Sequence, residues 1–169
     1  MHHRLKKEQS KPEVIIYTDG ACEGNPGRGG YGVVMLWGEK RKELSGGFQC
    51  TTNNRMELLA VIEALAALKQ PCTVKLYSDS SYVVNAMNEG WVQNWRRKGW
   101  RNSKNKPTPN ADLWQRLIML CEQHDVEFIW VKGHSGIAEN ERCDALAVAA
   151  TQQPNLPIDM GYTTRADTT

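Results

Sequence analysis

Two short apolar runs, each followed by an aspartate, constrain the fold of this chain most strongly. The first run, Val-Ile-Ile-Tyr at 14–17, leads into Asp19, and the second, at 73–77, leads into Asp79. A nearly continuous apolar strand is typical of burial on both faces, so the first run predicts a central strand of a sheet. An aspartate at such a strand end suits a metal ligand or a catalytic carboxylate, because the rigid strand aims its side chain into a crevice. Asp79 has a simpler alternative role, which is to cap the helix predicted at 81–89.

The composition excludes several classes of protein. A chain of 169 residues with 40% hydrophobic and 24% charged residues is typical of one soluble globular domain. No apolar run approaches the roughly 18 residues of a membrane span, and no secretory signal is visible at the start. Five cysteines lack any C-x-x-C spacing, which argues against a disulfide framework or a zinc site. Reduced thiols indicate a cytoplasmic protein.

The positive charge is concentrated in one segment, which we call the handle (about 91–106). It contains six basic residues and no acidic one: Arg96, Arg97, Lys98, Arg101, Lys104 and Lys106. The net charge of the whole chain is only +2, so the rest of the chain is net negative. A local basic surface of this kind is suited to following the phosphates of a nucleic acid. A merely solvated basic loop is the alternative.

The order of predicted elements indicates the fold class. The segment 20–30 contains five glycines and predicts a turn, but it lacks the G-x-x-x-x-G-K-[ST] pattern of a phosphate loop. We predict strands at 31–37, 43–48 and 126–131, with helices at 56–69, from 110 onward and at about 140–151. The order β-β-β-α-β-α-α-β-α predicts an α/β fold: a five-stranded mixed sheet, its first three strands antiparallel, with helices on both faces. The domain spans 13–153, between a flexible arm at 1–12 and a flexible tail at 154–169.

Four acids can meet in this fold. If the two apolar strands are neighbours, Asp19 and Asp79 come side by side, and two helices can add Glu57 and Asp144. Oxygen ligands without thiolates or a histidine cluster favour Mg²⁺, with Mn²⁺ next. Two such ions about 4 Å apart would activate a water and stabilise the leaving oxygen of a phosphodiester. Glu57 has a structural alternative, because it stands at capping-box spacing from Asn54.

Five segments together resemble bacterial ribonuclease HI. They are Tyr-Thr-Asp-Gly-Ala-Cys-Glu-Gly-Asn-Pro-Gly at 17–27, Thr-Asn-Asn-Arg-Met-Glu at 52–57, Asp-Ser at 79–80, Trp-Val-Lys-Gly-His at 130–134 and Asn-Glu-Arg-Cys-Asp at 140–144. The similarity runs in the same order from about 13 to 150 and includes the handle. It implies the ribonuclease H fold and an endonuclease that hydrolyses the RNA strand of an RNA–DNA hybrid. The implied products carry 5′-phosphate and 3′-hydroxyl ends.

The resemblance also implies roles for particular residues. Asp19, Glu57, Asp79 and Asp144 would be catalytic acids that bind up to two Mg²⁺ ions. His134 would lie on a mobile loop and assist proton transfer or product release, and Glu141 matches an acid near the attacking water. Without the resemblance, a histidine between Gly133 and Gly136 is a poor candidate for the core, and as a lone histidine it is a poor metal ligand.

The resemblance assigns substrate contacts to a further set of residues. The Cys22 backbone, Asn25 and Glu57 would recognise the RNA 2′-hydroxyl, which distinguishes RNA from DNA. Asn53 and Asn54 would contact bases, and Thr52 would contact a phosphate of the DNA strand. Trp91 and Trp114 would line the channel for the DNA strand and stack against its sugars. The basic handle residues would bind phosphates: Arg96, Arg97 and Lys98. Asn53 or Asn54 could instead cap a helix, and Trp114 could be a core residue. For Trp95 and Trp100 we predict packing of the handle onto its own helix.

Two departures from the family pattern concern substrate contacts only. Ser81 stands where many bacterial relatives carry glutamine, so one contact would be shorter or absent. The segment 84–90 is one residue longer, which would displace Trp91. Rival hypotheses are a non-catalytic hybrid-binding module and another nuclease of the same fold, but such nucleases usually lack the handle and the Thr-Asn-Asn-Arg-Met-Glu run. We expect a monomer that needs no protein partner and no membrane.

Overall fold

The computed structural model describes residues 10–162. Most of the predicted arm and the last seven residues of the tail therefore lie outside the described residues. The strands are β1 (Glu13–Gly24), β2 (Gly27–Trp37), β3 (Lys40–Thr51), β4 (Thr73–Ser78) and β5 (Asp125–Trp130). The helices are α1 (Asn53–Ala66), α2 (Ser81–Asn88), α3 (Trp91–Arg97), α4 (Ala111–Cys121) and α5 (Ala138–Thr151).

The five strands form one mixed sheet in the order β3-β2-β1-β4-β5. β1 pairs antiparallel with β2, and β2 with β3, whereas β1–β4 and β4–β5 are parallel. This arrangement confirms the predicted fold class and puts the first apolar run at the centre of the sheet. The buried core includes Ile16 and Leu76 from the sheet and Leu58 and Ile62 from α1.

Helices cover both faces, and two glycines show how closely they approach the sheet. A Cβ on Gly20 would lie 2.6 Å from the backbone nitrogen of Glu57 in α1. A Cβ on Gly32 would collide with the carbonyl oxygen of Cys143 in α5. Gly32 pairs with Asp19, the neighbour of Gly20, so these two glycines face opposite sides of the sheet. The missing side chains allow α1 and α5 to pack directly on the backbone of the central strands.

Two elements differ from the prediction. β1 does not end near residue 18 but continues to Gly24, because the glycine-rich segment pairs with β2 through a turn at 25–26. There the glycines give room for the helices instead of breaking the strand. The handle contains an additional short helix, α3, which the sequence did not predict.

Part of the predicted tail, as far as residue 162, makes specific contacts with the domain. Leu156 and Asp159 are buried. The backbone nitrogen of Gln49 donates to the carbonyl oxygen of Pro157 at 2.9 Å, and its side-chain amide donates to that of Leu156 at 2.7 Å. Residues 154–162, which we call the strap, are therefore docked beside β3.

Among residues 10–162, no helix combines the length and apolar character needed to cross a bilayer.

Candidate active site

The parallel pairing of β1 with β4 brings two of the predicted acids together. The last residue pair of that ladder is Thr18 opposite Ser78. Asp19 and Asp79 are the next residues on each strand, so both lie at the same edge of the sheet. The register of two strands thus turns a separation of 60 positions in the sequence into close proximity.

Glu57 joins this pair from the first turns of α1. One ligand oxygen from each of Asp19, Glu57 and Asp79 lies within 4.8 Å of the others. We call these three residues the carboxylate cluster. Asp19 and Glu57 are buried, whereas Asp79 is partly exposed. The close packing of α1 on Gly20 brings the Glu57 backbone against β1 beside Asp19.

Asp144, the fourth predicted acid, lies in α5 and is not part of the cluster within that distance. Its negative charge nevertheless helps to raise the pKa values of both Asp19 and Asp79. The structure therefore brings three of the four acids within 4.8 Å of one another, and Asp144 acts on two of them through its charge.

The cluster is electrostatically costly without a counter-charge. Burial, followed by the charge of Asp79, raises the pKa of Asp19, although a hydrogen bond from the Gly20 N–H at 2.9 Å opposes the rise. Burial and then the charge of Asp19 raise the pKa of Glu57 well above its usual range. Burial also raises the pKa of Asp79. Buried carboxylates that repel one another retain their protons unless a cation neutralises them.

One oxygen of the cluster lacks a protein partner. Glu57 Oε1 is buried and accepts no hydrogen bond from the residues that the structure describes. A buried acceptor without a donor costs free energy, and a cation would remove that cost. Three convergent carboxylates and an unsatisfied oxygen fit a hard divalent ion. Asp19, Glu57 and Asp79 are the residues that could hold it.

Asp79 does not cap the helix that follows it. The N-cap of α2 is Ser80, whose hydroxyl oxygen accepts a hydrogen bond from the Val83 N–H at 3.2 Å. The Asp79 carbonyl oxygen accepts from the Trp130 indole N–H at 3.2 Å. A Cβ on Gly133 would lie 2.7 Å from Asp79 Oδ2, so the loop after β5 passes directly over the carboxylate.

His134 lies on that loop in a left-handed conformation with φ of 56°. Its side chain is exposed, and its Nδ1 lies 3.4 Å from Glu141 Oε1. It is also near enough to Asp79 for its charge to oppose the rise in the pKa of that carboxyl group. The imidazole is thus accessible at the edge of the cluster and is not a core residue.

The β1–β2 turn is tied to the start of α1. Asn25 Oδ1 accepts a hydrogen bond from the Asn53 N–H at 3.0 Å. The Cys22 thiol donates to the Thr51 carbonyl oxygen, with an S···O distance of 3.4 Å. These contacts hold Cys22 and Asn25 beside the residues that lead into α1, the helix that carries Glu57.

The helix cap of α1 differs from both predicted alternatives. Thr52 is the N-cap, and its hydroxyl oxygen accepts from the Arg55 N–H at 3.2 Å. Neither Asn53 nor Asn54 is therefore the cap, and Asn54 and Glu57 do not form a capping box. The alternative role of Glu57 in a capping box is therefore wrong, and its side chain lies in the carboxylate cluster instead.

The two tryptophans predicted to line the DNA-strand channel have different environments. Trp91 begins α3 with 41% of its surface exposed. Trp114 is fully buried, and its indole N–H donates to the Tyr82 hydroxyl oxygen at 2.9 Å. A side chain without exposed surface cannot stack on a sugar, so the predicted contact for Trp114 is wrong and the core alternative holds. Helical periodicity could not show which neighbour would cover it.

The handle is exposed, and its basic groups are only partly engaged. Arg96 forms an exposed ion pair with Glu122 at 3.0 Å, and Arg97 donates to Asn94 Oδ1 at 2.7 Å. Lys98 is exposed and follows α3. Ser81, the first residue of α2, is also exposed.

Trp95 and Trp100 pack as predicted, but against the hydrophobic core, which includes Trp114 of α4, and not only onto the handle's own helix. The Trp95 ring centroid lies 5.6 Å from that of the buried Trp114. Trp95 and Trp100 both pack against the hydrophobic core. These rings attach the handle to the domain, while the basic side chains extend outward.

Sequence reasoning missed the role of Arg55. This arginine is almost fully buried in the first turn of α1 and binds carboxylates from α4 and from the strap. Its position inside the Thr-Asn-Asn-Arg-Met-Glu run was visible, but its partners are 57 and 104 positions away. No local pattern could identify them.

A five-stranded sheet in this order, with carboxylates where β1 and β4 meet, is the architecture of the ribonuclease H-like fold. The sequence model of the RNase H family matches residues 11–152. A protein named ribonuclease H from Desulforamulus reducens is 64% identical over 148 residues, which cover 88% of this chain and 93% of that protein. Another from Syntrophus aciditrophicus is 59% identical over 150 residues, covering 89% and 87%. The chain belongs to the ribonuclease H family and is an enzyme.

Solved structures agree with this assignment. The crystal structure of LC9-RNase H1, described as a type 1 RNase H with the type 2 active-site motif, matches with a TM-score of 0.75 and 35% identity. That match covers 83% of this chain and 72% of the other. LC11-RNase H1, crystallised in complex with an RNA/DNA hybrid, matches with a TM-score of 0.63 and 26% identity, covering 82% and 96%.

Proposed function

We propose that this protein is an endonuclease that hydrolyses the RNA strand of RNA–DNA hybrids and leaves 5′-phosphate and 3′-hydroxyl ends. The observation that carries the proposal is the carboxylate cluster of Asp19, Glu57 and Asp79 at the open edge of the sheet. Membership of the ribonuclease H family supports the choice of substrate, as does the hybrid bound to LC11-RNase H1.

The cluster and Asp144 would hold up to two Mg²⁺ ions, with Mn²⁺ as a substitute. The fit rests on the buried, unsatisfied Glu57 Oε1 and on a ligand set made only of carboxylate oxygens. When bound, such ions supply a more acidic water and stabilise negative charge on a phosphate. The rigid ends of β1 and β4 would fix two of the carboxylates, so little reorganisation is needed on binding.

The protein residues contribute position and proton handling. In the proposed hydrolysis a water oxygen forms a bond to phosphorus, the P–O3′ bond breaks, and the 3′-oxygen takes a proton. His134 is exposed beside Asp79 and Glu141, so it could accept or deliver a proton at this edge or assist product release.

Recognition of RNA would begin at the β1–β2 turn and the start of α1. The Cys22 backbone, Asn25 and Glu57 would contact the 2′-hydroxyl, Asn53 and Asn54 the bases, and Thr52 a phosphate of the DNA strand. The hydrogen bond from the Asn53 N–H to Asn25 Oδ1 supports a joint surface, and it leaves the Asn25 amide nitrogen available as a donor.

The DNA strand would follow a path from Ser81 past Trp91 to Arg96, Arg97 and Lys98. The exposed indole of Trp91 could stack on a sugar. The basic side chains would release counterions from the phosphates, so affinity should fall steeply with salt. Arg96 would have to exchange its ion pair with Glu122 for a phosphate.

The test uses labelled RNA–DNA hybrid, RNA duplex and DNA duplex, each incubated with the protein in Mg²⁺ or in chelator. We expect the RNA strand of the hybrid alone to be cut, only in Mg²⁺, with a 5′-phosphate on the products. Equal cutting of the three duplexes, or cutting in chelator, would refute the proposal. Hybrid binding without any cleavage would instead identify a non-catalytic binding module.

We also propose that the enzyme acts as a monomer in the cytoplasm. All five cysteines are free thiols, which suits a reducing compartment.

A further inference from the structure

The strap contacts the part of α1 that carries the proposed recognition residues. Arg55 follows Asn53 and Asn54 and precedes Glu57 by two positions. Only 1% of its surface is exposed, which is exceptional for an arginine. Whatever holds this side chain also fixes the orientation of the first turn of α1.

Two carboxylates from distant parts of the chain hold Arg55. Its Nε and Nη2 donate to Asp159 of the strap at 2.8 and 3.1 Å. Its Nη1 and Nη2 donate to Asp112, at the start of α4, at 2.9 and 2.7 Å. Burial disfavours the charged guanidinium, but these hydrogen bonds outweigh burial and raise the pKa of Arg55. Bidentate pairing of this kind fixes geometry as well as charge.

The strap is itself held by hydrogen bonds at Asp159 and at the residues before it. The Thr51 hydroxyl donates to Asp159 Oδ2 at 2.7 Å, and Gln49 binds the backbone at Leu156 and Pro157. A Cβ on Gly161 would lie 2.6 Å from Arg55 Nη2. The backbone of the strap therefore closes directly over the ion pair, and the end of β3 and the start of α1 share one anchor.

We propose that Asp159 is a positioning residue for hybrid recognition, acting through Arg55. The strap holds the first turn of α1 so that Asn53 and Asn54 face the hybrid and Glu57 faces the other two acids. This inference rests on the proposed function, since it names a determinant of the same site. The residue that governs selectivity then lies more than 100 positions from the residues that make the contacts.

The first measurement does not depend on activity. In Asp159→Asn, hydrogen exchange of the Arg55, Met56 and Glu57 amides should quicken at least tenfold, while the amides of the last turn of α1 change little. Asp125→Asn is the matched control, because it breaks an exposed ion pair with Lys11 at the opposite end of the sheet. Unchanged exchange in the first turn would overturn the proposal even if hybrid cleavage fails for other reasons.

The second measurement separates positioning from general stability. At a temperature where circular dichroism shows both variants folded, Asp159→Asn should raise the Kd for the hybrid about tenfold in chelator. Its Kd for a DNA duplex, which depends on the handle, should change less than about twofold. If the affinity for both duplexes falls equally, or the affinity for the hybrid does not change, Asp159 only stabilises the fold and the proposal is wrong.

A milder variant keeps the test decisive if Asp159→Asn does not fold. Thr51→Val removes one hydrogen bond to Asp159 and keeps the Arg55 ion pair. It should shift first-turn exchange and hybrid affinity in the same direction by about two- to threefold. Wild-type values for both would overturn the proposal. Should wild-type protein fail to bind hybrid while first-turn exchange responds, the proposed function fails and the positioning remains.

Discussion

The carboxylate cluster and the handle show two ways in which one chain handles charge. The cluster gathers three like charges in a largely buried site, where burial raises their pKa values. The handle presents basic groups to solvent, and its ion pair between Arg96 and Glu122 is exposed. Buried charges interact strongly because water screens them little, whereas water and salt screen exposed charges, so each exposed charge interacts weakly. The cluster is therefore suited to chemistry, and the handle to affinity.

The largest expected effect is at the cluster. Asp79→Asn should reduce cleavage by roughly a thousandfold or more, because one metal-binding carboxylate becomes a neutral amide. Hybrid binding in a gel-shift assay should persist, because the handle is unchanged. Turnover near the wild-type rate would show that Asp79 is not catalytic. The distinction between a cluster that performs chemistry and a handle that provides affinity would then fail.

A second prediction contrasts a buried with an exposed ion pair. Arg55→Met should lower the free energy of unfolding by about 3–5 kcal/mol, since it leaves the buried Asp159 without its cation. Arg96→Met, which breaks the exposed pair with Glu122, should cost less than about 1 kcal/mol. Urea unfolding followed by circular dichroism measures both. Similar losses in the two variants would show that burial does not distinguish these pairs.

The third prediction concerns pH in the absence of divalent ions. The pKa values of the cluster are raised in the folded state, so the native protein binds more protons than the unfolded chain. Stability contributed by these groups is present at low pH and declines as pH rises from roughly 4 through neutrality. Asp19→Asn should weaken this decline and stabilise the metal-free protein near pH 7 by about 1–3 kcal/mol.

Thermal unfolding across pH tests this prediction, with Asp125→Asn as the exposed control. Added Mg²⁺ should raise the Tm of the wild type more than that of Asp19→Asn, because binding stabilises the native state. An identical pH dependence in both proteins would mean that Asp19 does not carry the electrostatic cost.

The smallest effect is expected at the handle. Neutralising Arg96, Arg97 and Lys98 should raise KM by about tenfold at low salt and change kcat little, because phosphate contacts act before the chemical step. Steady-state cleavage at several salt concentrations should show a shallower salt dependence of kcat/KM. A large loss of kcat with unchanged KM would place the handle in catalysis and remove the distinction between the two regions.

Much of the site could be predicted because its signals are local. An apolar strand followed by an aspartate indicates a side chain at a sheet edge, and two such strands indicated that Asp19 and Asp79 meet. Glu57 was predicted with the open alternative of a capping box, and only the geometry of the Thr52 cap removed that alternative. Trp114 shows the limit, since helical periodicity placed it on a face but not beneath Tyr82 and Trp95.

The sequence by itself determined the order of the elements other than the handle helix α3, the identity of the acids and the local positive charge of the handle, since these follow from short-range patterns. Tertiary structure decided which carboxylates meet within 4.8 Å, which of Trp91 and Trp114 is exposed and which segments hold Arg55. These outcomes depend on strand register and on packing between positions up to 104 residues apart. The physical reason is that proximity across a sheet is set by pairing and burial, which no window of neighbouring residues contains.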